Sequence, residues 1–130
     1  MKVKNSQLVD FSQLAVGGKK LPVKLGYTIA VNVAAVKGAV ETYFDQKRKL
    51  IEENANKDEE GNPIIKEDET YDIPDEKTEK LTEDLKELNE MKVEVPITTV
   101  PFKIVEKCDR DEFDSLTPSE LFVLQFMIED

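Results

Sequence analysis

The sequence contains no histidine, no tryptophan and a single cysteine among its 130 residues. Without histidine, the Ser–His and Cys–His arrangements that activate many protein nucleophiles are excluded. Cys108 has no second cysteine with which to form an internal disulfide. Positive charge on Lys107 and Arg110 could activate its thiol, but an incidental thiol in a reducing compartment is the better interpretation.

The chain also has no glycine-rich phosphate-binding motif, no set of zinc ligands and no long apolar run. Its most apolar stretch, residues 27–40, is interrupted by Asn32, Lys37 and Gly38, so we expect it not to span a bilayer. The polar residues that follow Met1 predict that there is no signal peptide. We therefore predict a soluble intracellular protein that is not an enzyme and that has no cofactor, no metal site and no catalytic residues.

Charged residues make up 35% of the chain, and the formal net charge is -10. Residues 1–44 have a net charge of +4, residues 45–92 of -8 and residues 93–130 of -6. This excess of acid argues against nonspecific binding to nucleic acid or to an anionic membrane. Solvated faces rich in Glu and Lys have the same composition, so charge alone identifies no partner.

Two amphipathic helices are predicted in the middle of the chain, one from Pro22 to Ala55 and one from Asp75 to Met91. Each has an apolar stripe, and in the first helix it recurs at alternating three- and four-residue steps. The stripes are Val36, Val40, Tyr43 and Leu50 in the first helix, with Lys47 in the same register, and Leu81, Leu85, Leu88 and Met91 in the second. Because a short acidic spacer joins the helices, we expect them to pack as an antiparallel hairpin.

Shorter elements are predicted on either side of the helices and between them. A short helix is predicted from Asn5 or Ser6 to Gly17-Gly18, where glycine ends it. Within the spacer, residues 64–65 and residues 71–73 predict a small β-hairpin at the tip of the long helical hairpin. Residues 91–95 and 102–105 predict a short strand pair near the C-terminus.

The sharpest local signal starts the last predicted helix. Thr117 is placed as its N-cap, Pro118 as its first residue, and Glu120 as the partner that completes a capping box. The residues that follow are almost all apolar, so this short helix should be buried somewhere. It either closes the core or presents Phe122 and Phe126 to a partner.

Together these elements predict a mainly α (α+β) fold in one domain, residues 1–130. Residues 22–91 form a helical hairpin arm, and residues 1–21 and 92–130 pack at its base. The region from Ile29 to Val40 is apolar on more than one side, which predicts that it is the core, contacted by the N-terminal helix and by the C-terminal segment as well. Gly38, close to several alanines, predicts the close approach of another element.

One pattern resembles a metal site. Asn56, Asp58, Glu60, Gly61 and Glu67 fall at positions 1, 3, 5, 6 and 12 of a calcium-binding EF-hand loop. The match is poor at three positions, since the first residue is Asn, the fifth is a long Glu and the eighth is Pro63. An acidic turn is the favoured interpretation, and calcium binding stays open.

Three blocks of the sequence resemble one known family. They are residues 1–6 (MKVKNS), residues 20–24 (KLPVK), and the C-terminal residues 116–121 (LTPSEL) and 126–129 (FMIE). The chain resembles a family of small acidic proteins encoded by bacteriophages of Gram-positive bacteria. The resemblance implies a phage origin and expression inside a bacterial host, and it brings no activity, cofactor or site residue with it.

These observations favour a protein-protein interaction module in the host cytoplasm that inhibits or modulates a host or phage protein. The alternative is a structural or assembly protein of the virion. A homo-oligomer and mimicry of DNA by the acidic arm both stay open. The candidate contact residues are apolar and acidic residues of the tip together with two aromatic residues of the last helix: Ile64, Ile65, Tyr71, Glu59, Glu60, Glu67, Asp68, Phe122 and Phe126.

Overall fold

Helices account for most of the chain. In the computed structural model, which describes Met1–Glu129, 57% of the residues are helical, which confirms the prediction of a mainly α fold. The helices are α1 (Asn5–Ser12), α2 (Val23–Asn54), α3 (Asp75–Glu90), α4 (Phe102–Glu106) and α5 (Pro118–Leu124). The strands are β1 (Lys2–Lys4), β2 (Lys92–Glu94), β3 (Val100–Pro101) and β4 (Ile128–Glu129). Short 3₁₀ turns follow α4 and α5 at Lys107–Asp109 and Gln125–Met127.

The chain divides into two units. Unit 1 contains Met1–Val40 and the chain from Lys92 onward, and unit 2 contains Glu41–Met91. Helix α2 contributes residues to both units without interruption. Each unit therefore draws part of its structure from the same 32-residue helix.

A single stripe of α2 is buried along its length. In unit 1 the stripe contains Leu25, Ile29, Asn32 and Val36, and in unit 2 it contains Tyr43. The first four recur at three- and four-residue steps and Tyr43 follows Val36 seven residues later, about two turns, as one face of an α-helix requires. The helix begins one residue after the predicted Pro22, whose carbonyl oxygen accepts the amide hydrogen bond of Gly26 at 3.0 Å.

The core of unit 1 collects residues from both ends of the chain. Phe11 of α1, Leu25 of α2 and Leu124 of α5 are among the buried residues of this cluster. The other members are Val3, Leu8, Val16, Ile29, Val36, Val95, Val100, Val105, Cys108 and Met127. Such burial of apolar surface is the main favourable contribution to folding.

Asn32 is a polar residue of unit 1 with no exposed surface. Its Nδ2 donates to the carbonyl oxygen of Thr98 at 2.9 Å, and its Oδ1 accepts the Thr98 amide hydrogen bond at 2.8 Å. Thr98 lies between β2 and β3, where its backbone takes part in no strand. Asn32 thus supplies the two hydrogen bonds that a neighbouring strand would otherwise provide.

The predicted strand pair of residues 91–95 and 102–105 is wrong in its second half. Strand β2 pairs antiparallel with β1 at the N-terminus, in the register Val3 to Val93. Residues 102–106 form helix α4, and β3 before it pairs in parallel with β4. Short apolar runs suit either a strand or a helix. Here Val105 and Cys108 are buried at a helical spacing of three, and Pro101 precedes the helix with a φ of -63°.

The N-terminal helix is shorter than predicted. It ends at Ser12, and Gly17 and Gly18 lie in a later turn that the amide of Lys19 closes on the carbonyl oxygen of Val16 at 3.0 Å. This turn keeps Val16 in the core. The glycines therefore serve a turn and do not cap the helix.

In unit 2, residues 55–74 connect α2 to α3 through an ordered set of backbone hydrogen bonds. Asn56 donates to Asp72 and accepts from Ile64, both at 2.8 Å, and Asp72 donates to Ile64 at 2.9 Å. An isolated antiparallel bridge joins Ile65 to Tyr71. Closer to the base of the unit, the Tyr43 hydroxyl donates to the side-chain oxygen of Asn89.

Replacing Asn32 by Ala should lower the free energy of unfolding by about 2–3 kcal/mol, because it leaves both polar groups of Thr98 without their partner. Urea denaturation measures this loss. The exposed Lys37 on the same helix provides the control, and Lys37→Ala should change stability by less than about 0.5 kcal/mol. A loss of that small size for Asn32→Ala would contradict a structural role for the two bonds.

Candidate functional site

The net charge of the protein belongs entirely to unit 2. Unit 1 contains ten basic and ten acidic residues by sequence, whereas unit 2 contains eight basic and eighteen acidic residues, a net of -10. None of these eighteen acidic residues is buried, and fifteen are exposed. The sequence places the excess of acidic residues between residues 45 and 130, and the division of the fold into two units assigns this excess to unit 2.

Ion pairs neutralise little of this charge. Among the described residues, unit 2 contains one ion pair, between Arg48 and Asp45 at 3.1 Å, and both side chains are more than half exposed. An exposed pair three residues apart on a helix is worth only a few tenths of a kcal/mol. Most of the carboxylates of unit 2 therefore face water without a basic partner, and a basic surface could bind them.

Two carboxylates in the α2–α3 connection build its turns. Asp58 Oδ1 accepts the amide hydrogen bonds of Glu60 and Asn62, each at 2.9 Å. Asp68 Oδ1 accepts from the hydroxyl of Thr70 at 2.6 Å and from its amide at 3.2 Å. The Thr70 hydroxyl, and then its amide, lower the pKa of Asp68. Asp68 is thus committed to a turn, although the sequence analysis proposed it for contact.

The other acidic candidates are not committed in this way. The side chains of Glu59, Glu60 and Glu67 are exposed, and no described hydrogen bond or ion pair involves their carboxylates. The backbone around them is fixed by the turns at Asp58 and by Gly61, which adopts the left-handed φ of 84° that glycine tolerates. These three carboxylates are therefore free to meet a partner from a defined backbone.

The three apolar candidates of the tip differ in exposure. Ile65 is 60% exposed and Ile64 is 38% exposed. Tyr71 is half-buried, and its hydroxyl donates to Glu52 of α2 at 3.2 Å. Partial burial, followed by the Glu52 carboxylate, raises the pKa of Tyr71. Ile65 is the apolar side chain best placed to contact a partner, whereas Tyr71 holds the connection to α2.

The calcium-like pattern does not come together as a ligand set. Asn56 Nδ2 donates to Asp72 at 3.0 Å, and Asp58 accepts backbone amides as described above. Among the described residues, no group of three or more His, Cys, Asp or Glu side chains is placed to hold a metal ion. These residues therefore have part of the sequence spacing of a calcium-binding loop, but their side chains do not come together around one point.

The two candidate phenylalanines lie in different surroundings, Phe122 in α5 and Phe126 in the 3₁₀ turn that follows it. Phe126 contacts Phe11 edge to face, with ring centroids 5.2 Å apart, and packs against the core of unit 1. Phe122 is 75% exposed. The predicted capping box is confirmed, since the amide of Glu120 donates to Thr117 Oγ1 at 3.2 Å and Glu120 accepts from the Thr117 amide at 2.8 Å. Lys19 also donates to Glu120 at 2.6 Å and fixes the start of α5.

Phe122 borders an open groove of about 660 Å³. The groove is lined by residues of α4, α5 and β4: Phe102, Pro118, Leu121, Phe122, Gln125 and Ile128. Phe102 is nearly half exposed. Phe102 was not among the contact residues predicted from the sequence, in which residues 102–105 are assigned to a strand.

Helix α2 also passes a length and composition test for crossing a membrane. It contains an 18-residue window with a mean hydropathy of 1.2, and 28% of that window is buried. Core helices of soluble proteins pass the same test, so this result is weak support for a membrane span. The sequence analysis had expected residues 27–40 to be too polar for one.

Comparisons of the chain with protein-family models, with curated proteins and with solved structures find no match. Functional proposals for this chain therefore rest on its own residues.

Cys108 is the one thiol and lies in the core of unit 1, with 2% of its surface exposed. Burial raises the pKa of this thiol, and the nearby Asp109 carboxylate raises it further. Both effects lower the fraction of thiolate, which is the reactive form. The activation by basic neighbours that the sequence allowed is thus opposed by the surroundings of the thiol.

At pH 8 we expect Cys108 of the folded protein to react with Ellman's reagent at least about a hundredfold more slowly than in urea, because the thiol is both buried and protonated. The absorbance of the released thionitrobenzoate measures the rate. The urea-unfolded chain is the control for intrinsic reactivity. Equal rates in the two states would show that Cys108 is accessible and activated.

Proposed function

We propose that this chain is a non-catalytic protein-protein interaction module, encoded by a phage and acting in the host cytoplasm. It would inhibit or modulate a host or phage protein by presenting the carboxylates of unit 2 to a basic surface. The observation that carries the proposal is the location of the whole net charge of -10 in unit 2, on carboxylates that are exposed and mostly unpaired. The phage origin rests on the sequence resemblance of the terminal blocks and of residues 20–24.

The presenting element is an arm formed by an antiparallel hairpin of α2 and α3 with a small β-hairpin at its tip. Two hydrogen bonds support this arrangement, one from Tyr43 to Asn89 and one from Tyr71 to Glu52. The bridge between Ile65 and Tyr71 supports the β-hairpin. An arm of this kind holds its charges at fixed spacing, which reduces the entropy lost on binding.

The contact surface combines charge and one apolar anchor. Glu59, Glu60 and Glu67 supply long-range attraction, which speeds association and selects a basic partner. Ile65 supplies apolar area that leaves water on binding, which is the more common source of affinity. In the most specific version of this proposal, the carboxylates mimic the phosphates of DNA and bind a host protein in place of DNA. The chain itself binds no nucleic acid.

A catalytic role finds little support in the same residues. The acidic groups of the tip are solvated, whereas a catalytic carboxylate pair needs a desolvated cleft that separates the pKa values of its members. The thiol of Cys108 is buried away from substrate. These side chains are therefore better suited to binding a partner than to catalysing a reaction.

The second candidate function is a structural or assembly role in the virion. The exposed Phe122 and the groove beside it favour this alternative, because apolar surface of this kind suits packing in an assembly. Assembly through apolar contacts changes little with salt, whereas capture by carboxylates weakens as ionic strength rises.

Affinity capture from infected host cells tests the proposal. The triple change Glu59→Gln, Glu60→Gln and Glu67→Gln, or Ile65→Ser alone, should reduce recovery of the partner by about tenfold, because it removes contacts at the centre of the surface. Quantitative mass spectrometry measures the recovery at low and high salt.

Two controls separate contact from net charge and from general stickiness. The triple change Glu76→Gln, Glu79→Gln and Glu83→Gln removes the same charge from exposed positions of α3 and should reduce recovery less than threefold. Phe122→Ser removes an exposed aromatic side chain from unit 1 and should leave recovery unchanged. Equal losses for both triple variants would contradict a tip interface, and stoichiometric copies of the protein in purified virions would favour assembly.

A further inference from the structure

The side of α2 that faces away from the core of unit 1 is unusually apolar for a solvent-exposed surface. Val23 is 88% exposed, Tyr27 is 71% exposed and Val33 is nearly half exposed. The prediction that residues 29–40 form the core holds for Ile29 and Val36 but is wrong for Ala30, Val33 and Ala34, which all face solvent.

An open groove of about 520 Å³ lies beside this apolar side of α2. It is formed between α2 and the segment that connects α1 to α2. Its lining is mostly apolar or small and contains Leu14, Val16, Gly17, Lys19, Leu21, Gly26, Ile29, Ala30 and Val33. All these residues belong to unit 1, so the groove and the exposed helix side form one surface of that unit.

Small residues recur along this surface at every fourth position: Gly26, Ala30, Ala34 and Gly38. A Cβ atom added at Gly26 or at Gly38 would meet no atom within 4 Å. The close approach that the sequence predicted at Gly38 is therefore not made by any described part of the chain. Rows of small side chains allow a second helix to pack at a short interaxial distance.

Residues 11–40 contribute only basic charge to this surface, but two carboxylates approach it at the turn before α2: Asp114 accepts the amide hydrogen bond of Lys20 at 2.7 Å, and Glu120 is paired with Lys19. Residues 11–40 contain no Asp or Glu and contain four lysines, Lys19, Lys20, Lys24 and Lys37. Lys19 is paired with Glu120 at 2.6 Å, whereas Lys20, Lys24 and Lys37 have exposed side chains without a described ion pair. A ligand for this surface should be apolar where it meets Tyr27 and acidic at its edges.

We propose that this surface binds an amphipathic helix of another protein, with apolar residues on one side and acidic residues along its flanks. The 16 residues from Val23 to Gly38 extend over roughly 24 Å, which matches about four turns of a partner helix. Helix-in-groove recognition of this kind uses apolar anchors at three- and four-residue steps. The site lies in unit 1 and prefers acid, so it is independent of the proposed basic partner of unit 2.

Charge also decides against two other occupants. A second copy of this chain carries the same net charge of -10, and such repulsion opposes self-association. An anionic membrane would attract the lysines but repel the carboxylates of unit 2. A partner helix with a few flanking carboxylates is attracted to the same lysines, and it is repelled less by unit 2 than a second copy that brings a net charge of -10.

Fluorescence anisotropy with synthetic peptides tests this proposal on the full chain. The probe is a peptide of about 16 residues with Leu at three- and four-residue steps and Glu on its flanks, and its counterpart has Gln in place of Glu, so that neither peptide is attracted to the carboxylates of unit 2. We expect the Glu peptide to bind at least tenfold more tightly than the Gln peptide. Tyr27→Ser should weaken binding of the Glu peptide about tenfold, and the pair Lys24→Glu and Lys37→Glu should reverse the preference.

Matched variants control for folding and for net charge. The pair Lys2→Glu and Lys4→Glu makes the same charge change on exposed residues of β1, and Phe122→Ser removes an aromatic side chain elsewhere in unit 1; both should bind the Glu peptide within about twofold of the unaltered protein. Circular dichroism should show the same thermal midpoint for Tyr27→Ser and the unaltered chain. Equal binding of the two peptides, or full binding by Tyr27→Ser, would overturn the proposal. The proposal would also be overturned if the unaltered chain formed a dimer, or adsorbed to phosphatidylglycerol vesicles, and Tyr27→Ser abolished that behaviour.

Discussion

The buried stripe of α2 is the constraint on which the rest of the structure depends. One helix supplies Leu25, Ile29 and Val36 to the core of unit 1 and Tyr43 to unit 2. Because an α-helix repeats every 3.6 residues, burying this stripe turns the opposite side of the helix toward solvent in every turn. In unit 1 that opposite side is apolar and basic at its edges, whereas unit 2 as a whole is acidic. The same helix thus gives the protein two surfaces of different chemistry.

The division of charge between the units has a physical cost and a use. Unit 1 has equal numbers of basic and acidic residues, and its ion pair between Lys19 and Glu120 joins the start of α5 to the turn before α2. Unit 2 leaves most of its carboxylates unpaired, so repulsion among them opposes its folding. Backbone hydrogen bonds at Asn56, Ile64 and Asp72 and side-chain bonds at Asp58 and Asp68 hold the connection in place. Glu59, Glu60 and Glu67, whose carboxylates take part in no described bond, therefore remain available to bind a partner.

Local sequence signals were enough for some elements and not for others. The stripe of α2 and the cap at Thr117 follow from spacing and side-chain chemistry within a few residues, so they were predictable. The pairing of β1 with β2 joins residues about 90 positions apart, and the hydrogen bonds of Asn32 to Thr98 cross 66 positions, which no local pattern encodes.

Among the candidate contacts, Asp68 and Tyr71 were chosen by residue type. Only the fold shows that Asp68 is used in a turn and that Tyr71 is bonded to Glu52. The exposure of Tyr27 likewise depends on which elements pack on α2, and that is a tertiary property.

Native-state hydrogen exchange as a function of salt tests most directly whether unit 2 carries an unneutralised acidic surface. Raising NaCl from about 20 mM to about 500 mM shortens the Debye length from roughly 20 Å to about 4 Å and screens repulsion between exposed charges. Amides of α3 in unit 2 should then exchange several-fold more slowly, while amides of α1 and α5 in the neutral unit 1 should change little. An equal change in both units, or faster exchange in α3 at high salt, would contradict the account.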